Sequence, residues 1–156
     1  TFQKVKIIDQ FEKSGLKDYD LLLNIKNPGP LHIKYDKYIL KGLLDLGIET
    51  NDKNTLKMYL IKANNFIKRS PNPHIYKGMA QAYKALGDKE NMTNIINESA
   101  YLFPILSDNS NWVYFALKEI GSDLKAKQLL EKLKIHNSVL YEKINNFHLL
   151  ENKILE

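Results

Sequence analysis

The stretch that decides the fold is Pro73–Pro104, with the sequence PHIYKGMAQAYKALGDKENMTNIINESAYLFP. Its first half places apolar residues at helical spacing on one face, namely Ile75, Tyr76, Met79, Ala80, Tyr83 and Leu86. Its second half carries an opposing stripe, namely Met92, Ile95, Ile96, Ser99 and Phe103. Between the halves, Gly87 suits a left-handed helix end and Asp88 suits the start of the next helix. The stretch therefore predicts two antiparallel helices joined by a tight turn.

The same cycle recurs on the C-terminal side. Here Gly121 is the predicted stop and Ser122 the predicted cap. The apolar residues before and after this turn are Val113, Leu117, Ile120, Leu124, Leu129, Leu130 and Leu133. Gly87 and Gly121 lie 34 residues apart, which indicates a helix-turn-helix repeat.

A less regular pair of helices is predicted on the N-terminal side, over Leu31–Ser70. Its first helix carries Tyr35, Ile39, Leu40, Leu43 and Leu46, and Gly47 is the predicted stop. Asp52 or Asn51 can cap its second helix. The inward residues of that helix are Leu56, Tyr59, Leu60, Ala63, Phe66 and Ile67.

The two ends of the chain also have helical spacing. A first stripe of Val5, Ile8 and Phe11 ends at Gly15, and Asn27–Pro30 breaks the chain before the first pair. After His136–Ser138, a last helix carries Leu140, Ile144, Phe147, Leu150 and Ile154. This helix is expected to cap the stack.

The fold class that follows is all-α, with stacked antiparallel helix hairpins, because the strict alternation of a strand nowhere lasts more than a few residues. At 156 residues we expect a single domain over 1–156. Its expected parts are a lead-in at 1–30, a degenerate hairpin at 31–71, the best repeat at 72–105, a second repeat at 106–137 and a C-terminal capping helix at 138–156.

The best repeat resembles a tetratricopeptide unit. The matching positions are Tyr76, Met79, Ala80 and Tyr83 in the first helix, Gly87-Asp88 in the turn, Ile96 and Ser99 in the second helix, and the closing Pro104. Met92 departs from the usual alanine, and in the second repeat Ser110 and Tyr114 replace the aromatic and small residues. The resemblance implies a superhelix whose first helices line a concave groove for an extended peptide.

By that resemblance, the groove would present His74, Lys77, Gln81 and Lys84, followed by Asn111, Phe115 and Lys118. Lysine and amide side chains together suit an anionic or carboxylate-bearing protein or peptide. The alternative is that these lysines only keep an exposed helix face soluble. Trp112 is expected to be a packed residue rather than a ligand platform.

A proline-bounded unit with Ser70–Pro73, Leu86–Asp88 and Phe103-Pro104 follows an irregular lead-in and a helical pair. In this arrangement the chain also resembles the soluble C-terminal region of membrane O-oligosaccharyltransferases of the O-antigen-ligase type, which include pilin glycosylation enzymes. The resemblance implies a periplasmic appendage that aids acceptor recognition beside a membrane-embedded portion of the same protein. Without it, we expect a cytoplasmic module.

No pattern in the chain predicts catalysis. The chain has no cysteine, and none of its histidines has a partner at metal-ligand spacing; these are His32, His74, His136 and His148. No glycine-rich phosphate loop is present. We therefore predict no catalytic residue, no metal and no cofactor.

The net charge of +5 suggests an anionic partner, but Arg69 is the only arginine. Proteins that bind nucleic acids favour arginine, because its planar guanidinium group can form paired hydrogen bonds with base edges and phosphates. Nucleic-acid binding is therefore not expected. The apolar runs are far shorter than the roughly 20 residues that span a bilayer, so we expect a soluble chain.

Overall fold

The computed structural model describes residues 30–155, and within them the side chains of residues 40–147. This part of the chain is helical and contains no β-strand, so the all-α prediction is confirmed for it. The helices are α1 (Pro30–Glu49), α2 (Lys53–Arg69), α3 (Pro73–Leu86), α4 (Lys89–Leu102), α5 (Trp112–Glu119), α6 (Asp123–His136) and α7 (Ser138–Leu155). The predictions for the lead-in, and for the side chains of Tyr35, Ile39, Leu150 and Ile154, lie outside what is described.

The chain divides into two compact units, and the boundary falls inside α4, between Met92 and Thr93. The first unit contains α1, α2, α3 and the start of α4. The second contains the rest of α4 with α5, α6 and α7. The repeat predicted at 72–105 therefore has residues in both units.

In the first unit, α1, α2 and α3 all pack against one another. The six inward residues predicted for α2 are all buried, and so are five of the six predicted for α3, with Leu86 partly exposed. The side chains of Leu44, Tyr59 and Met79 have no exposed surface. The apolar faces of the three helices thus form one core. Each Å² of apolar surface that this core removes from water stabilises the fold by about 25 cal/mol.

The predicted stop at Gly47 is wrong, because α1 continues through it to Glu49. Gly47 is buried against α2, and a Cβ built there would lie 3.0 Å from Leu56 Cδ1. The glycine is needed for a close approach of two helices rather than for a helix end. The chain instead turns at Asn51, whose φ is 53°.

Short polar side chains cap both α2 and α3. Asp52 Oδ1 accepts the Thr55 N–H at 3.2 Å, and Asp52 Oδ2 accepts the Thr55 hydroxyl at 2.7 Å. At the start of α3, Asn72 Oδ1 accepts the His74 N–H at 2.9 Å, and Pro73 occupies the first turn. Asp52 is therefore the cap of α2, as one of the two predicted alternatives, and Asn72 caps α3.

In the second unit, α6 packs against both α5 and α7. Buried apolar side chains on these helices include Val113, Leu117, Ala126, Leu129, Leu133, Leu140 and Ile144. Leu124, one of the apolar residues of the predicted second repeat, does not pack inward, since its side chain is 71% exposed. It precedes the buried Ala126 by two residues, which at about 100° per residue turns it to the far side of α6.

The segment before α5 departs from a regular repeat. Ser110, expected in a first helix, lies before α5 and is buried, and its Oγ accepts the Ser107 N–H at 2.9 Å. The helix that follows, α5, has only 8 residues. Trp112 at its start is buried, as expected for a packed residue.

Candidate functional site

Four of the predicted groove residues lie on α3, at a spacing that puts them on one helical face. His74 and Lys77 are partly buried, whereas Gln81 and Lys84 are exposed. Gln81 and Lys84 line a cleft in the first unit, between α1 and α3, with a volume of about 600 Å³. The other residues that line this cleft are Asp45, Ile48, Glu49 and Ala85.

Helices α1 and α3 make a close contact at Gly78. A Cβ built on Gly78 would lie 2.9 Å from Lys41 Cδ and 3.1 Å from Leu44 Cδ1. The missing side chain lets the two helices approach each other. The nearby Ala80, predicted on the apolar face of this helix, is buried.

These contacts also give the relative direction of α1 and α3. Gly78 lies beside Lys41 and Leu44, and further along both helices Ala85 shares the cleft with Ile48. Residue numbers therefore increase together on the two helices, so α1 and α3 run parallel. Helix α2 connects them and packs against both.

A polar network crosses the cleft. Lys41 Nζ donates to the two carboxylate oxygens of Asp45 at 2.6 Å and 2.7 Å, and approaches Gln81 Oε1 at 3.4 Å. Glu49 and Lys84 add one charge of each sign. The formal charges of these four ionisable side chains cancel, so the cleft does not have the basic character that the lysines of α3 alone predict.

The remaining predicted groove residues belong to the second unit. Asn111 directly precedes α5. The ring of Phe115 packs edge-on against the ring of Phe147, with 5.6 Å between centroids. Lys118 Nζ lies 3.5 Å from Asp123 Oδ1. Phe115 and Lys118 thus have intramolecular partners within their own unit.

Two side chains outside the cleft have perturbed pKa values. Hydrogen bonds from the Asn91 side chain and backbone N–H lower the pKa of Asp88 below its ordinary value of 3.8. Burial raises the pKa of Tyr114 above its ordinary value, although the nearby Lys118 acts in the opposite direction. The Asp88 shift follows from its place at the start of α4, and the Tyr114 shift from packing.

Sequence reasoning missed the α1 side of the cleft. Asp45, Ile48 and Glu49 follow one another at the spacing of one helical face, and Lys41 precedes Asp45 by one turn. That spacing was a usable signal for an ion pair and a shared face. What it could not indicate was that this face lies beside Gln81 and Lys84.

Among the side chains that the structure describes, residues 40–147, no cluster of three or more His, Cys, Asp or Glu could hold a metal ion. None of the helices described is both long and apolar enough to cross a membrane. Comparison of the chain with protein-family models, curated proteins and solved structures found no match.

Proposed function

We propose that this chain is a non-catalytic protein-interaction module that binds an extended peptide segment of a partner protein in the α1–α3 cleft. The observation that carries the proposal is an open cleft between two parallel helices that have already buried their apolar stripes in a common core. A volume of about 600 Å³ falls within the range of about 300–1,000 Å³ that is common for ligand sites.

The side chains of the cleft suit a polypeptide better than a polyanion. Ile48 and Ala85 provide apolar contact, and the Gln81 amide can both donate to and accept from a peptide backbone. Glu49 and Lys84 offer one charge of each sign. A peptide of mixed charge can complement such a surface, whereas a polyanion gains no net attraction from charges that cancel.

We also propose that the helices form tetratricopeptide-like repeats, with α1 and α3 as the first helices of successive units. Two observations support this arrangement. Helices α1 and α3 run parallel with α2 packed against both, and left-handed glycines end helices at positions 87 and 121, 34 residues apart. The peptide would then lie across the first helices.

The test is to select peptides from a random phage-displayed library on the full chain and to measure binding of the best one by fluorescence anisotropy. Ala85→Trp places a large side chain in the cleft from an exposed position, so it should obstruct a peptide of any charge. We expect affinity to fall at least about tenfold, equivalent to about 1.4 kcal/mol.

The matched control is Lys68→Trp, which adds the same bulky side chain at an exposed position of α2 that does not line the cleft. It should change affinity by less than about twofold. Equal binding by the Ala85→Trp variant and the original chain would exclude the α1–α3 cleft as the site.

A further inference from the structure

A second cleft, of about 250 Å³, lies within the second unit between α4 and α6. One side is formed by Asn97, Ala100 and Tyr101 of α4 together with Pro104, two residues past the end of that helix. The other side is a face of α6, namely Lys125, Gln128, Leu129 and Lys132. The α6 residues lie at positions i, i+3, i+4 and i+7, and the three α4 residues at i, i+3 and i+4, so each of these sets lies on a single helical face.

This α4–α6 cleft is both basic and apolar. The Tyr101 side chain is 83% exposed at its edge, and the neighbouring Ile105 is 51% exposed. Lys125 and Lys132 are the ionisable side chains that line it, apart from the Tyr101 phenol, and no carboxylate among the described residues does so. It differs in this respect from the α1–α3 cleft, which contains two carboxylates.

The backbone positions of the two lysines are separated by about two turns of α6. Lys125 Nζ donates to Asn97 Oδ1 at 2.9 Å, which holds this ammonium group at the cleft. Lys132 follows seven residues later on the same face, and at 1.5 Å per residue the two positions lie roughly 10 Å apart along α6. An exposed aromatic ring lies on the opposite side of the cleft, at Tyr101.

We propose that the α4–α6 cleft binds an acidic peptide segment of a partner protein, with two carboxylates about 10 Å apart and apolar residues between them. The charge of the cleft selects an anionic ligand, and Tyr101 and Pro104 select apolar groups next to the charges. In a polyproline II peptide every third residue lies on the same face, and two such residues are about 9 Å apart along the peptide. Glutamates three residues apart therefore match the spacing of the two lysines. Such a peptide also presents prolines to the exposed tyrosine.

The probe is a fluorescein-labelled heptapeptide, Glu-Pro-Pro-Glu-Pro-Pro-Glu, titrated with the full chain at low salt. We expect saturable binding that weakens about tenfold in Lys132→Glu and about threefold in Tyr101→Ser. Both side chains are exposed, so the thermal unfolding curves should overlay that of the original chain. The matched control is Lys127→Glu, an exposed lysine of α6 outside the cleft, which changes the net charge equally.

Either of two comparisons of affinity would overturn the proposal. One is an equal loss of affinity in Lys127→Glu and Lys132→Glu, because binding would then follow net charge rather than the cleft. The other is equal binding of a control peptide with the same composition but its three glutamates adjacent at one end. Absence of saturable binding by the first peptide contradicts the proposal as well.

Discussion

Gly87 and Gly121 end two different helices with the same pair of hydrogen bonds. The N–H of each glycine donates to the carbonyl oxygen three residues earlier, at 3.0 Å for Gly87 and 3.1 Å for Gly121. The N–H of the next residue donates to the carbonyl oxygen five residues earlier, at 2.9 Å for Asp88 and 2.8 Å for Ser122. This is the Schellman arrangement, and it recurs here at the 34-residue spacing of the predicted repeat.

Alanine substitution should show that both turns need a residue that tolerates a positive φ angle. The φ angles are 73° at Gly87 and 81° at Gly121, and an added Cβ would have no neighbour within 4 Å at either position. The cost of Gly87→Ala or Gly121→Ala is therefore conformational strain alone, and we expect each to lower the free energy of unfolding by about 1 kcal/mol. Urea denaturation measures this loss. Asn, which tolerates left-handed backbone better, should cost less, and an unchanged stability with alanine would contradict the assigned turn geometry.

A large side chain at Gly78 should disturb the α1–α3 contact. Gly78→Leu cannot be accommodated beside Lys41 Cδ and Leu44 Cδ1 without moving a helix, so we expect a loss of about 1–3 kcal/mol by overpacking. Gly78→Ala is the milder comparison, since its Cβ would meet the ends of flexible side chains while alanine favours the helix. Equal stability of the leucine variant and the original chain would mean that α1 and α3 do not approach closely at this position.

Glycine shows how far the sequence could predict this fold. The stops at Gly87 and Gly121 are confirmed by their positive φ angles. They were predictable because each glycine directly precedes a residue suited to start the next helix. The stop at Gly47 is wrong, because the same residue type also permits two helices to approach each other. Gly47 is followed by Ile48, which does not suit a helix start, so the next residue was a usable signal; the contact with Leu56 is not visible in the local pattern.

The candidate site was predictable on one side only. Gln81 and Lys84 follow from the exposed face of a regular helix. Their neighbours across the cleft, Asp45 and Glu49, belong to a helix more than 30 positions earlier in the chain. These two helix faces come together only because α1 packs against α3. The helical periodicity within each segment does not show which other helix it will contact.

The hydrogen bond between Asn64 and Tyr83 should couple α2 to α3. Asn64 Nδ2 donates to the Tyr83 hydroxyl at 3.0 Å and to the Leu60 carbonyl oxygen at 2.9 Å. Tyr83→Phe removes the first bond and preserves the ring, so we expect a loss of about 0.5–1.5 kcal/mol. In a double-mutant cycle with Asn64→Ala, the two losses should be less than additive. Strict additivity would show that this hydrogen bond contributes nothing.

Asp88 should make the stability of the chain depend on pH in the acidic range. Its pKa is lowered in the folded protein by the hydrogen bonds from Asn91. Its contribution is therefore fully present above the ordinary value of 3.8 and is lost as the pH falls through the lower folded pKa. Urea denaturation between about pH 7 and about pH 3 should show the stability difference between the original chain and Asp88→Asn shrinking at the acidic end. If the stability difference between the two proteins grew as the pH fell, the prediction for Asp88 would be contradicted.

The central claim, that an extended peptide lies in the α1–α3 cleft, is tested most directly by photo-cross-linking. The peptide selected on the full chain is synthesised with a benzophenone side chain at successive positions, irradiated in complex, and the attachment sites are located by mass spectrometry. We predict cross-links to Asp45–Glu49 of α1 and to Gln81–Ala85 of α3, competed by unlabelled peptide and lost in Ala85→Trp. Cross-links that persist in Ala85→Trp and map to residues outside these two segments would contradict the account.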